Sequence, residues 1–67
     1  MIYAERLEFL GRSAESFMVH IKDGYARGIF VEGEVIIEHH ICKKSSLFKI
    51  VEMLIKKYKS GVVFFVV

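Results

Sequence analysis

The chain has 67 residues, with ten Lys and Arg against eight Asp and Glu, a net charge of +2, an apolar fraction of 54% and one cysteine. A chain of that length makes one domain with a modest core; the single Cys42 excludes an internal disulfide, and no Cys/His quartet has the spacing of a structural zinc site. The charge is too small to point to nucleic acid by itself, and the longest apolar run, Val62–Val67, is too short to cross a bilayer.

These limits carry an expectation about partners. The apolar fraction exceeds the ordinary value of about 45–50%. A small fold without staples and with surplus apolar surface is expected to hide part of it in a homo-oligomer or against another protein, the alternative being a well-packed monomer. The unpaired cysteine fits a reducing compartment, and Met1-Ile2-Tyr3-Ala4-Glu5-Arg6 lacks the basic start and apolar run of a secretory signal, so a cytoplasmic location is expected.

The first segment reads two ways. Arg6-Leu7-Glu8-Phe9 alternates like a strand, whereas Tyr3, Leu7 and Leu10 sit at i, i+4 and i+7. The good helix formers from Ala4 to Glu8 favour a short helix ending near Gly11. Three strands follow, Ser16–Lys22, Tyr25–Val31 and Glu34–Ile41, separated by Asp23-Gly24 and Glu32-Gly33 as two-residue hairpin turns. Those turns predict a register. Lys22 faces Tyr25, His20 faces Arg27 and Met18 faces Ile29; then Val31 faces Glu34, Ile29 faces Ile36, Arg27 faces Glu38 and Tyr25 faces His40. One sheet face then carries Phe17, Val19, Ile21, Ala26, Gly28, Phe30, Val35, Ile37 and Ile41 as core, and the other His20, Lys22, Tyr25, Arg27, Glu34, Glu38, His40 and Cys42.

A helix is predicted from about Ser45 to Lys59. Leu47, Ile50, Val51, Leu54, Ile55 and Tyr58 share one face, Ser45 or Ser46 can cap its start, and Gly61 can take the left-handed conformation just past its end. Lys56, Lys57 and Lys59 oppose the negative end of its dipole. The final run Val62–Val67 has no alternation and predicts a strand buried on both faces inside the sheet, or completed by a second copy. The expected fold is therefore α+β, a three-stranded antiparallel meander with a C-terminal helix and a buried last strand, in the order α-β-β-β-α-β.

The polar sheet face is the candidate binding surface: His20, Lys22, Tyr25, Arg27, Glu38 and His40 could hold an anion, a peptide or a nucleic-acid strand stacked on Tyr25. The plain alternative is a solvated face stabilised by cross-strand charge pairs. His39 and His40 are adjacent and point to opposite sides of a strand, so they cannot chelate one ion together. His39 is expected on the core side. His40 and Cys42 share a face, and His20 could join only across an intervening strand, which leaves no dependable fourth ligand for a metal; nor is there a cleft or oxyanion hole for thiolate chemistry. Gly24, Gly28 and Gly33 do not have phosphate-loop spacing; two are turn glycines, and Gly28 is expected to let something pack close.

Leu7-Glu8-Phe9-Leu10-Gly11-Arg12-Ser13, then Phe17–Ile21, then Gly28-Ile29-Phe30-Val31-Glu32-Gly33-Glu34-Val35-Ile36, and a helix closing in Gly61-Val62-Val63-Phe64-Phe65, together resemble the PATAN type of domain. The resemblance implies a non-catalytic regulatory or protein-interaction module of signalling systems, and it favours a helical N-terminus. The leading expectation is accordingly a non-enzymatic, cofactor-free interaction module, homodimeric, with Val62, Val63, Phe64, Phe65 and Val66 as the candidate interface. The alternative is a small nucleic-acid-binding domain using the polar sheet face.

Overall fold

The computed structural model describes residues Met1–Val66, except for the side chain of Phe9. The elements are β1 (Ile2–Phe9), β2 (Arg12–Ile21), β3 (Gly24–Val31), β4 (Glu34–Ile41), α1 (Lys44–Tyr58) and β5 (Val63–Phe65). The five strands form one sheet in the order β1-β2-β3-β4-β5. The first four make an antiparallel meander, and β5 lies parallel to β4. The expected order α-β-β-β-α-β is thus corrected to β-β-β-β-α-β, and the three-stranded meander to a four-stranded one within a mixed sheet.

The first element is a strand because its competitor is weak. Intrinsic helix preferences differ by at most about 0.7 kcal/mol per ordinary residue, and a helix of this length is marginal alone in water. Against that, Ile2–Phe9 pairs along its whole length with β2, from Ile2 opposite Val19 to Phe9 opposite Arg12. Leu10 and Gly11 both take positive φ, 52° and 76°, which is the hairpin turn whose twist matches the flanking strands. The alternation of Arg6-Leu7-Glu8-Phe9 was the better guide.

The second turn differs by a shift. Ile21 pairs with Gly24, so Lys22 and Asp23 form the loop, and the cross-strand pairs are His20–Tyr25, Met18–Arg27 and Ser16–Ile29. Neither Lys22 nor Asp23 takes a positive φ, so the left-handed turn that Asp23-Gly24 would build is not used. The displacement is two residues, and with a side-chain period of two every residue keeps its expected face while changing its neighbour.

The third turn forms at Glu32-Gly33, both with positive φ (51° and 80°), and the pairs Val31–Glu34 and Ile29–Ile36 are as expected. Further on, the ladder slips. Gly28 pairs with Ile37 and Arg27 with His39, leaving Glu38 as the extra residue of a β-bulge. The expected Arg27–Glu38 and Tyr25–His40 pairs become Arg27–His39 and Tyr25–Ile41. Gly28 makes room for this: a Cβ there would collide with the Ile36 carbonyl oxygen and lie 2.9 Å from Ile37 Cα. Beyond the bulge the faces reverse. Ile41 leaves the core face and is 57% exposed, while Cys42 packs against the core.

Phe17, Val19, Ala26, Val35 and Ile37 from the sheet pack with Ile50 and Leu54 from α1. Tyr58 closes one side, stacking on Phe30 at 4.4 Å between ring centroids and meeting Phe17 at 5.9 Å. Its hydroxyl donates to Glu15 Oε1 at 2.9 Å.

The helix ends are not capped as expected. Lys43 holds the N-cap position without a side-chain bond; Ser46 lies within the first turn, with Oγ 3.4 Å from both Asp23 carboxylate oxygens. At the other end Lys59, not Gly61, takes the left-handed conformation (φ 53°). Ser46 at the β2–β3 turn and Ser60 at the β3–β4 turn show that α1 runs back along the sheet. It thereby returns the chain to the start of β4, as a parallel connection requires. The buried Ser60 hydroxyl sits 2.8 Å from Gly33 O and 2.7 Å from Val62 O, and accepts the Val62 N–H at 3.1 Å. It ties helix end, β3–β4 turn and β5 together.

The last strand is the largest departure in position. It was expected inside the sheet with both faces buried; β5 is three residues long and lies at the sheet edge. Val62, Phe64, Phe65 and Val66 are 44%, 49%, 42% and 59% exposed. Val67 lies outside the described residues. Once β1 joins the meander, β4 has one free side, and the crossover through α1 can reach only that side.

Candidate functional site: the open sheet face and the β5 edge

The helix covers one face of the sheet. Among the described residues no helix covers the other, and this open face has two halves. Residues directly opposite one another share a face, so Tyr3, Met18 and Arg27 form one open-face row, with His39 beyond, and Glu5, Ser16, Ile29 and Ile36 the next. In the apolar half, Ala14, Ile29 and Val31 cluster with Ile36 and are 6–8% exposed despite having no helix above them. Phe64 of β5 lies opposite Ile36, so this band reaches the sheet edge.

The polar half surrounds a shallow hollow of about 330 Å³. Tyr3 and Glu5 come from β1, Ser16 and Met18 from β2, Arg27 from β3 and Glu38 from the bulge; Ala4, Phe17 and Gly28, which face the helix side, contribute backbone beneath. The small Ser16 between longer side chains opens the space. The bulge turns Glu38 and His39 toward the same face, a common use of bulges. His39 Nδ1 and Tyr25 Oη are hydrogen-bonded at 2.9 Å, with their rings 5.6 Å apart.

The structure therefore keeps part of the expected polar set. Arg27 and Glu38 meet at the hollow, His20 lies opposite Tyr25, and Lys22 is in the turn. His40 is corrected to the other face: it sits opposite Ala26 and packs edge-on against Phe65 at 5.7 Å. His39, expected on the core side, takes its place. Tyr3 and Glu5 were missed because their segment was read as a helix, although the alternation that follows them was the available signal. The nearest signal for the bulge was Gly28.

The chemistry of the remaining candidates is plain. Burial, and next the negative charge of Asp23, push the Cys42 thiol above its ordinary value, the opposite of the shift that thiolate chemistry requires. Among the described residues no group of three His, Cys, Asp or Glu side chains is placed to hold a metal ion. The surface ion pair Arg12–Glu32, at 2.8 Å with both side chains 58% exposed, contributes little to stability.

The β5 edge offers a different kind of site. Val62 O accepts from Val35 N at 3.2 Å and Val66 N donates to Ile37 O at 3.0 Å. Even-numbered residues thus face β4, and the N–H and C=O groups of Val63 and Phe65 point away from it. No strand among the described residues pairs with that side. Val62–Val66 contains no charge and no proline, two of the features that protect an edge, and its protection is the shortness of the three-residue strand. The opposite edge, β1, carries Glu5, Arg6 and Glu8. No helix among the described residues is long and apolar enough to cross a membrane. Comparison of the chain with protein-family models, with curated proteins and with solved structures gave no match.

Proposed function

We propose that this chain is a non-catalytic protein–protein interaction module of regulatory type, homodimeric, acting in the cytoplasm where Cys42 stays reduced. One observation carries the reading: β5 is a short edge strand without charge or proline, and among the described residues no strand pairs with the outward backbone groups of Val63 and Phe65, while Val62, Phe64, Phe65 and Val66 are exposed. Strand addition at such an edge supplies backbone hydrogen bonds for affinity and side-chain packing for specificity. The resemblance to PATAN domains points the same way in function, although the helical N-terminus it implies is replaced here by β1. The nucleic-acid reading is weakened by the loss of His40 from the open face and by Glu5 and Glu38 beside Arg27, which oppose a phosphate backbone.

Light scattering from about 10 µM to about 1 mM tests the homodimer, the range in which small interfaces titrate. A mass rising from 7.8 kDa toward twice that value is expected. A mass of one chain throughout would refute the homodimer.

A further inference from the structure

We infer that the partner of the β5 edge is the β5 edge of a second copy, antiparallel to the first, with the two-fold axis passing through Phe64. This deepens the reading above and rests on it. The register follows from which backbone groups are unpaired. Among the described residues Val62–Val66, Val63 and Phe65 direct N–H and C=O away from β4. In an antiparallel pair, two facing residues exchange both bonds when both direct their groups toward the partner. An axis through Phe64 places Val63 opposite Phe65 of the partner subunit, twice by symmetry, giving four bonds. An offset of one residue would set outward groups against inward ones and make none. An axis through Val63 would bring Phe65 against Gly61 and Val66 against the buried Ser60, wasting two of the exposed side chains.

The side chains fit the same axis. Phe64 meets Phe64 of the partner subunit, in the closer of the two pair geometries, and Val62 meets Val66 of the partner subunit. Each exposed apolar residue on that row is matched by another, with no charge to repel. The interface is isologous, so it closes on two copies. Joining β5 to β1 instead would place this apolar row against a charged strand and would propagate without closing. The product is a ten-stranded sheet in which the apolar bands of the two open faces meet at the Phe64 pair.

The area sets the strength. The four exposed side chains carry on the order of 300 Å² per copy, given about 150–250 Å² for a whole aromatic side chain, against about 800 Å² per partner in a standard interface. The dimer is therefore weak and exchanging, with a Kd between about 10 µM and about 1 mM.

The test uses the full chain in a Cys42→Ser background. Phe64→Cys places two thiols at facing positions about 4.5 Å apart between Cα atoms, within disulfide reach, and should cross-link under mild oxidation. Phe48→Cys, which is more exposed at 69% but lies on α1, should cross-link at least about ten-fold less. Phe65→Pro removes an outward N–H that β4 does not use, and should raise the Kd by about ten-fold or more with the thermal melt of the monomer nearly unchanged. If Phe65→Pro disturbs the fold, the cross-linking comparison still decides. A dimer by light scattering in which Phe64→Cys links no faster than Phe48→Cys would overturn this register while leaving the interaction module standing. A monomer at about 1 mM would overturn both this register and the homodimer.

Discussion

Gly28→Ala gives the most direct test of the β3–β4 geometry. At an ordinary strand glycine this change is expected to stabilise by about 0.4–1 kcal/mol, because alanine restricts the unfolded chain. Here the sign reverses. The new Cβ would collide with the Ile36 carbonyl oxygen and lie 2.9 Å from both Ile36 C and Ile37 Cα, all backbone atoms that cannot rotate away. Relief requires β3 and β4 to separate at the Gly28–Ile37 pair, losing one or two hydrogen bonds of about 1 kcal/mol each, with overpacking of about 1–3 kcal/mol. Set against the alanine gain, the net loss is about 2–4 kcal/mol. A chain of this size has only about 3–10 kcal/mol in total. At roughly 4–8 °C per kcal/mol, the melting midpoint should fall by about 8–32 °C. Gly61→Ala is the control: a Cβ there meets nothing within 4 Å and its φ is not left-handed, so stability should hold or rise by about 0.4–1 kcal/mol. Thermal and urea unfolding followed by circular dichroism would measure both. Gly28→Ala within about 0.5 kcal/mol of the parent would show that β4 does not approach β3 in this way, and would remove the basis for the bulge.

Tyr58 links stability to alkaline pH. Burial, and then its hydrogen bond to Glu15, raise its phenol above the ordinary value near 10, so the neutral form is favoured in the folded state. The associated stability is fully present below about pH 10 and is lost as pH climbs from there toward the folded-state value. Tyr58→Phe should cost about 1 kcal/mol at neutral pH and show a flatter decline above about pH 10, measurable by urea titration at several pH values. Cys42 should react with an aromatic disulfide reagent near pH 7.5 several-fold more slowly in the folded chain than in denaturant; equal rates would contradict its partial burial and raised pKa. Ser60→Ala should cost about 1–3 kcal/mol and speed amide exchange in β5 more than in β2, because Val62 N–H loses its acceptor. Leu54→Ala, at a fully buried helix position, should cost about 2–5 kcal/mol and leave the chain at the margin of folding.

Much of the core was legible from period alone. Phe17, Val19, Ala26, Val35 and Ile37 fall on one side of alternating strands, Ile50 and Leu54 recur at helical spacing, and each is buried as that pattern requires. The polar site was legible only in part. Arg27 and Glu38 reach a common hollow, but Tyr3 and Glu5 complete it from a segment whose local preferences favour a helix. His39 and His40 exchanged roles because one inserted residue, Glu38, reverses the faces of everything after it. The same reversal turned Ile41 outward and Cys42 inward.

The edge position of β5 illustrates the general division. Its composition reads as buried, and it is buried nowhere among the described residues except in part at Val63. Local signals in the chain were enough for the helix, the three later strands and the apolar set that must pack, and for the Glu32-Gly33 turn, whose signal was weaker than that of the displaced Asp23-Gly24 turn. They were enough because those features follow from side-chain period and turn chemistry within a few residues. Long-range pairing settled that Ile2–Phe9 is a strand, that the ladder slips at Glu38 and that β5 lies at the edge. Each of these depends on backbone pairing with a distant strand, whose hydrogen bonds outweigh local preference and leave only faint marks, the alternation of Arg6–Phe9 and Gly28, in the residues that make them.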